Sequence, residues 1–272
     1  MTVSDISLTA GMRTNLLSLQ NTSQLLNRTQ QRISSGKQVN SALDNPTNFF
    51  AAQNASQRAS DLSDRKDGMA EAVQTVSATN AGITAITGLI NAAKGVAQSA
   101  LSTSDTNVQS KLAAQYDTIR SQIDNISSDS SYRGLNLLSA TNTLTVNFND
   151  GATSKLNVVG FLANSTGLSL AAAGGNWLAT SSITADAARM DTAITTLRTN
   201  TQTLAANLNI ITTRQSFTDG MINTLQTGAD NLTLADMNEE GANMLMLQTR
   251  QSLGTTSLSL SSQAAQSILK LF

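Results

Sequence analysis

The sequence predicts a mainly α-helical chain, an elongated antiparallel helical bundle or coiled-coil rod with one small β-hairpin. Three observations carry this. First, residues recur in steps of four and three from Met190 through Ile194, Leu197, Thr201, Leu204, Leu208, Ile211, Gln215, Thr218, Ile222, Leu225 and Ala229 to Leu232. That is a heptad seam, with no proline and no glycine before Gly220, and a helix carrying it would run roughly 70 Å at 1.5 Å per residue. Second, a comparable heptad run lies upstream, between Leu62 and Ala100. Third, 40% of the 272 residues are hydrophobic but only 3% are aromatic, a composition suited to thin helix-to-helix seams rather than to a globular core anchored on rings.

The same composition narrows function. Charged residues are 13% of the chain and the net charge is −1, so no basic surface is offered to nucleic acid or to anionic lipid. There is no Cys and no His. This removes thiolate and imidazole together, and with them disulfides, most metal sites and the usual nucleophilic triads. No enzyme and no cofactor is expected. The first residues, Met1-Thr2-Val3-Ser4-Asp5-Ile6, lack the cationic start and apolar run of a secretory leader, and no later run is expected to span a bilayer.

Taken in order, the chain begins with a helix whose seam reads Met12, Leu16, Leu19, Ser23, Leu26, Gln30 and Ile33. Two polar interruptions make it too weak to stand alone. Ser34-Ser35-Gly36 ends it, with Gly36 free to take the left-handed conformation past a helix end. Asn45 is an expected N-cap and Pro46, the one proline, suits the first helical position because its missing N–H would be unpaired there anyway. The second helix, about 46–101, carries Leu62, Arg65, Met69, Ala72, Val76, Thr79, Ile83, Ile86, Ile90, Ala93, Ala97 and Ala100 on one face.

A third helix, about 107–128, presents Val108, Leu112, Tyr116, Ile119, Ile123 and Ile126. The period then changes from helical to alternating: Leu144, Val146 and Phe148, then a turn at Asn149-Asp150-Gly151, then Leu156 and Val158 predict a hairpin at about 143–161. The Asn-Asp-Gly run lacks the spaced acidic ligands of a calcium loop. Residues 162–183 are rich in Gly, Ala, Ser and Thr, hold the lone Trp177, and read as a surface loop. The long helix, 184–231, is expected to start at Thr184 with Ile183 before it and Asp186 in its first turn. After it, 236–272 is helical with two stripes. One is Met244, Leu247, Gln251, Gly254, Leu258, Ser261, Ala265, Ile268 and Phe272; the other is Leu253, Ser257, Leu260, Ala264, Ser267 and Leu271. Two stripes imply neighbours on two sides.

Both ends and one internal segment then resemble a known family. Gln31-Arg32-Ile33-Ser34-Ser35-Gly36-Lys37 followed by Asn40-Ser41-Ala42-Leu43-Asp44 is similar to the N-terminal signature of bacterial flagellins, residues 236–272 to its C-terminal partner, and Tyr132-Arg133-Gly134-Leu135-Asn136-Leu137-Leu138 to the segment before the hairpin. Asn45-Pro46 departs from the family, where a second Asp and small residues are common. The resemblance implies a homopolymeric helical filament subunit, extracellular and exported without a cleaved signal peptide. Its partners would be the export chaperone, the filament cap and the hook–filament junction proteins.

The resemblance also implies discontinuous domains built from both chain ends, an inner coiled coil from 1–44 and 233–272 and an outer rod from 45–232. The assembly seam would then be Met12, Leu16, Leu19, Leu26, Ile33, Leu247, Leu258, Ala265, Ile268 and Phe272. The rod core would be Leu62, Met69, Val76, Ile83, Ile90, Met190, Ile194, Leu197, Leu204, Leu208, Ile211, Ile222 and Leu225. The chain is short for the family, with no room between Leu138 and Ile183 for large outer domains. A flagellin sensed by the animal Toll-like receptor presents an Arg, a Leu four residues on, and a Glu on the next helix; here Asn91, Gly95 and Gln115 stand at those positions. Two other readings stay open: a hook–filament junction protein and a coiled-coil signalling or adhesive rod. Asn-x-Ser/Thr triplets such as Asn125-Ile126-Ser127 arise by chance in so Ser/Thr/Asn-rich a chain, and O-linked sugar on 164–182 is undecided by sequence.

Overall fold

The computed structural model describes residues 10–269, with side chains to residue 267. In chain order it contains α1 (Ala10–Ser35), α2 (Pro46–Leu101), α3 (Thr106–Asp129), β1 (Thr143–Asn147), β2 (Lys155–Val159), a short 3-10 turn (Gly174–Trp177), α4 (Thr180–Thr233) and α5 (Met237–Leu269). The chain divides into two compact units, one formed by the segments up to Arg58 and from Thr224, the other by Ala59–Asn223.

The central unit follows its two heptad seams. On α2, Met69, Ala72, Val76, Thr79, Ile83, Ile86, Ile90, Ala93, Ala97 and Ala100 are buried and Leu62 is half-buried. On α4 depth alternates. Met190, Leu197, Leu204, Ile211 and Thr218 are buried, whereas the intervening Ile194, Thr201, Leu208, Gln215 and Ile222 are half-buried. Two ion pairs fix the register: Lys66 meets Asp219 at 2.6 Å, and Lys94 meets Asp191. Between the two pairs α2 advances by 28 residues while α4 retreats by 28, so the helices run antiparallel without slippage. The hydrogen bond to Asp219 and its charge also hold the Lys66 ammonium above the ordinary lysine value.

Threonine in a long helix is usually a weak point, because its branched Cβ restricts χ1. Here two seam hydroxyls find a carbonyl one turn back: Thr79 donates to Thr75 O at 2.8 Å and Thr201 to Leu197 O at 2.9 Å. Buried Thr79 thus carries no unpaired donor.

The alternating depth on α4 sharpens a mutational expectation. Leu208 borders an open cleft with Val76, Asn80 and Leu204, so an aspartate there can turn toward water. Ile211, fully buried, leaves a carboxylate no exit. Ile211→Asp is expected to cost about 4 kcal/mol, Leu208→Asp less, and Thr201→Asp least. Thermal melts followed by circular dichroism rank the three; equal losses would mean that the seam is not the core.

Capping agrees with the sequence at Asn45, whose Oδ1 accepts from Asn48 N at 3.1 Å, and at Gly36, which has φ +69°. Asp105 caps α3 by accepting from Asn107 N and Val108 N. The hairpin pairs Leu144 with Val158 and Val146 with Leu156, and Val146, Phe148 and Val158 are buried. Gly160, just past β2, is required: a Cβ there would meet the backbone oxygens of Leu137, Ser139 and Asn142 at 2.6 to 2.8 Å.

Two expectations are corrected. Residues 162–183 are not a free surface loop: the segment is irregular and many of its residues are exposed, but Ala163, Leu168, Leu170, Trp177 and Ile183 are buried and anchor it. Acids on α3 strap the segment down: Asp124 accepts from Ser165 N at 2.6 Å and Ser165 Oγ at 2.9 Å, and Asp117 from Ala173 N at 3.1 Å. Polar backbone that composition alone assigns to water is therefore satisfied by buried-side carboxylates. Second, α4 starts at Thr180 rather than Thr184. Thr184 lies inside the helix, bonding Thr180 O, and Asp186 is a core group. Its Oδ2 accepts from Trp177 Nε1 at 2.8 Å and its Oδ1 from Arg189 at 2.7 Å. The Trp177 ring tilts against Tyr116 at 5.0 Å between centroids. Tyr116 donates to Ala171 O, and burial, aided by the charges of Asp186 and Asp117, pushes its hydroxyl up to about 12.

Candidate assembly surface

The terminal unit is organised by α1 against α5. Asn15 Nδ2 donates to Ser257 Oγ at 3.3 Å, and Arg32 pairs with Glu240 at 2.7 Å. From the first contact to the second α1 advances 17 residues and α5 retreats 17, so this pair too is antiparallel and in register. Gly254 lets the helices close: a Cβ there would lie 3.0 Å from the Leu19 side chain.

The seam on α1 differs in part from the one predicted. Met12 is buried and Leu19, Leu26, Ile33 and Ser23 are half-buried, but the structure also buries Thr22 and Thr29 and half-buries Asn15, while Leu16 and Gln30 are exposed. Leu16 is 37% exposed. The reason is geometric: steps of three-then-four and four-then-three both fit a heptad, and only the partner decides between them. Thr22 is made tolerable inside by donating to Ser18 O at 2.8 Å. On α5, Leu247 is buried and Leu258 and Ala265 are half-buried. The Ile268 side chain and Phe272 lie outside the described residues.

The second α5 stripe lies open. Leu253 and Leu260 are each more than 60% exposed, one heptad apart, and Leu245 and Met246 continue that face. Leu17 and Leu25 of α1 are also exposed. Two faces of α5 are thus apolar and one helix covers only one of them. An uncovered heptad stripe on a polar chain marks an interaction surface.

Where the helices join the rest of the chain, backbone hydrogen bonds clasp them. Gln38 N and Val39 N donate to Thr233 O, Ala235 N donates to Gly36 O, and Lys37 bridges Leu234. Asp44 closes the first linker by accepting from Asn40 N, Ser41 N and Ser41 Oγ. The bond from Asn40 leads in holding its carboxyl below the usual range, with Ser41 and the Arg28 charge adding to it. Beside the clasp sits the Arg32–Glu240 pair, with side chains only 19% and 7% exposed. Arg32 Nε and Glu240 Oε2 are buried without partners, and each is what the other lacks for a two-pronged pairing. Sequence reasoning passed over this pair because its members are 208 residues apart. The signal available was one charge at equivalent depth in each terminal seam.

In the central unit, Asn91, Gly95 and Gln115 are all exposed, and a Cβ at Gly95 would meet nothing within 4 Å. Among the described residues no cluster of acidic side chains could hold a metal ion, and no helix is long and apolar enough to cross a membrane.

Comparison with known proteins gives a consistent set of relatives. The model of the bacterial flagellin N-terminal helical region matches residues 6–143. Flagellin FljM of Caulobacter vibrioides is 31% identical over the full length of both chains, and a flagellin of Brucella melitensis is 28% identical over 95% of each. Among solved structures, the crystal structure of Bacillus cereus flagellin aligns with a TM-score of 0.49 at 15% identity, covering 56% of this chain and 88% of that one.

Proposed function

The chain belongs to the bacterial flagellin family, and from this premise we propose that it is a structural subunit that polymerises with itself into the flagellar filament through the α1–α5 pair. The observation that carries the mechanism is the open α5 stripe of Leu253 and Leu260. A helix pair with one sealed seam and one exposed seam gains its remaining burial only from other copies. The terminal segments 1–44 and 233–272 then supply the inner domain and 45–232 the outer one. Full-length similarity to flagellins supports the filament reading over a hook–filament junction protein.

Seeded growth tests this. Purified monomer added to filament fragments should elongate without limit, whereas a junction protein would cap after a few copies. Export as an unfolded, uncleaved chain, with the export chaperone, filament cap and junction proteins as partners, accords with the absence of cysteine. Mass spectrometry of filaments should find a mass intact from the first few residues to Phe272; loss of fifteen or more residues from the start would count against this route.

The receptor-recognition positions follow the same logic. Arg supplies a fork of donors and Leu fills a pocket, while Asn91 and Gly95 do neither. Monomer is expected to activate the flagellin-sensing receptor at least a hundredfold less than a flagellin with the full set. Because Gly95 has open space for a side chain, Asn91→Arg with Gly95→Leu should restore part of the response in reporter cells. Strong activation by the unmodified chain would refute the assignment.

A further inference from the structure

Between α1 and α5 lies an open cleft of about 240 Å³, whose lining includes Leu25, Arg28, Arg32, Glu240, Met246 and Arg250. Three guanidiniums share it with one carboxylate. Their states differ. Arg32 is engaged by Glu240 at 2.7 Å, and Arg28 leans on Asp44 at 3.8 Å, attracted but not hydrogen-bonded. Arg250 is exposed and makes no ion pair or hydrogen bond within the described residues. A planar fork of five donors is left facing a recess whose rim, Leu25 and Met246, is about half exposed.

The recess has the chemistry of a socket for an acidic side chain: a cation at its mouth and apolar walls for the methylene stem. We propose that Arg250, with Arg28 behind it, receives a carboxylate from a second copy of this chain and so sets the register between neighbouring subunits. The inference rests on the polymerisation reading. Two features point to a second copy as the occupant. Met246 belongs both to the cleft and to the open α5 face that continues through Leu253 and Leu260, so a copy seated on that face reaches the cleft. The chain also carries exposed carboxylates outside any ion pair, among them Asp64, Asp129 and Glu239. The apolar stripe alone is permissive in register, since every heptad resembles the next. A single charged socket is what distinguishes one register from a slip by seven residues.

The test uses the full chain. Monomer is seeded with wild-type fragments, and the critical concentration for growth is read by sedimentation between 50 and 500 mM NaCl. Arg250→Ala is expected to raise it about threefold to tenfold and Arg250→Glu at least tenfold, with Arg250→Lys between wild type and Arg250→Ala because a point charge replaces the fork. Wild type should lose affinity more steeply with salt than Arg250→Ala. Circular dichroism of the monomers controls for folding. If Arg250→Glu loses helix, the salt slopes of wild type and Arg250→Ala decide. Inorganic phosphate at constant ionic strength should raise the wild-type value and leave Arg250→Ala unmoved. Critical concentrations and salt slopes equal to wild type in both Ala and Glu variants would overturn the socket, as would phosphate binding at Arg250 with no effect on growth. Failure of wild type itself to elongate would strike the polymerisation reading instead.

Discussion

Deleting residues 257–272 is expected to abolish filament growth while leaving the central unit folded. The deletion removes the partner of Asn15 at Ser257, the seam residues Leu258 and Ala265, and the exposed Leu260. The first turns of α1, ahead of Leu19 at Gly254, then lose what they lie against. The N-terminal half of α1 is polar, with Thr14, Asn15, Ser18, Gln20 and Asn21 among its residues, and a helix of so few turns without an apolar partner is marginal in water. Each lost apolar side chain forfeits about 1.5 to 3 kcal/mol of burial in an assembled state. Two or three per subunit lower the affinity of each addition by a factor of about 10² or more. Residues 59–223 keep every ion pair and seam contact described for them. Electron microscopy should therefore show no filaments, while the main melting transition holds within a few degrees. Normal filaments from the truncated chain would refute the role of this segment; loss of the main transition would show that the two units are not thermodynamically separate.

The helices were legible because their signal is redundant. Thirteen consecutive seam positions from Met190 to Leu232 are all buried or half-buried, and chance errors at single positions could not hide such a run. The hairpin was legible for the same reason at period two. What sequence missed was decided by partners distant in the chain. Asn15 and Thr29 displaced Leu16 and Gln30, and Thr22 lies deeper than Ser23, because α1 carries too few apolar residues for hydrophobicity to choose the phase. Its orientation is set instead by Arg32 meeting Glu240 and by Gly254 admitting Leu19.

Residues 162–183 misled for a different reason. Gly, Ser and Thr are common in loops because water satisfies their backbone, but Asp117 and Asp124 on α3 do so here from the protein side. A carboxylate 41 or 56 residues away leaves no local trace. Of the candidate surface, sequence found both stripes of α5 but not which one the chain covers itself, since that depends on where α1 docks.

Trp177→Ala tests that strapped segment and is expected to be the most damaging substitution in the central unit. Trp177 is fully buried, and its ring holds together three things that composition had set apart: the 3-10 turn Gly174–Trp177, Tyr116 on α3, and Asp186 on α4. Truncation leaves a cavity the size of an indole, which costs about 3 to 5 kcal/mol by itself. It also strips Asp186 Oδ2 of its donor. Asp186 is 1% exposed, so the oxygen has no water to turn to, and an unpaired buried acceptor adds about 1 to 3 kcal/mol. The remaining bond from Arg189 is made to the other oxygen and cannot serve both. For a domain of this size each kcal/mol lowers the melting temperature by about 2 to 4 °C, so a fall of about 10 to 20 °C is expected in far-ultraviolet circular dichroism. Trp177→Phe separates the two causes, since it fills most of the cavity and keeps the contact with Tyr116 but donates nothing. It should lose about a third of the stability lost by Trp177→Ala. A Trp177→Ala melt within 3 °C of wild type would return residues 162–183 to the surface loop that composition suggested.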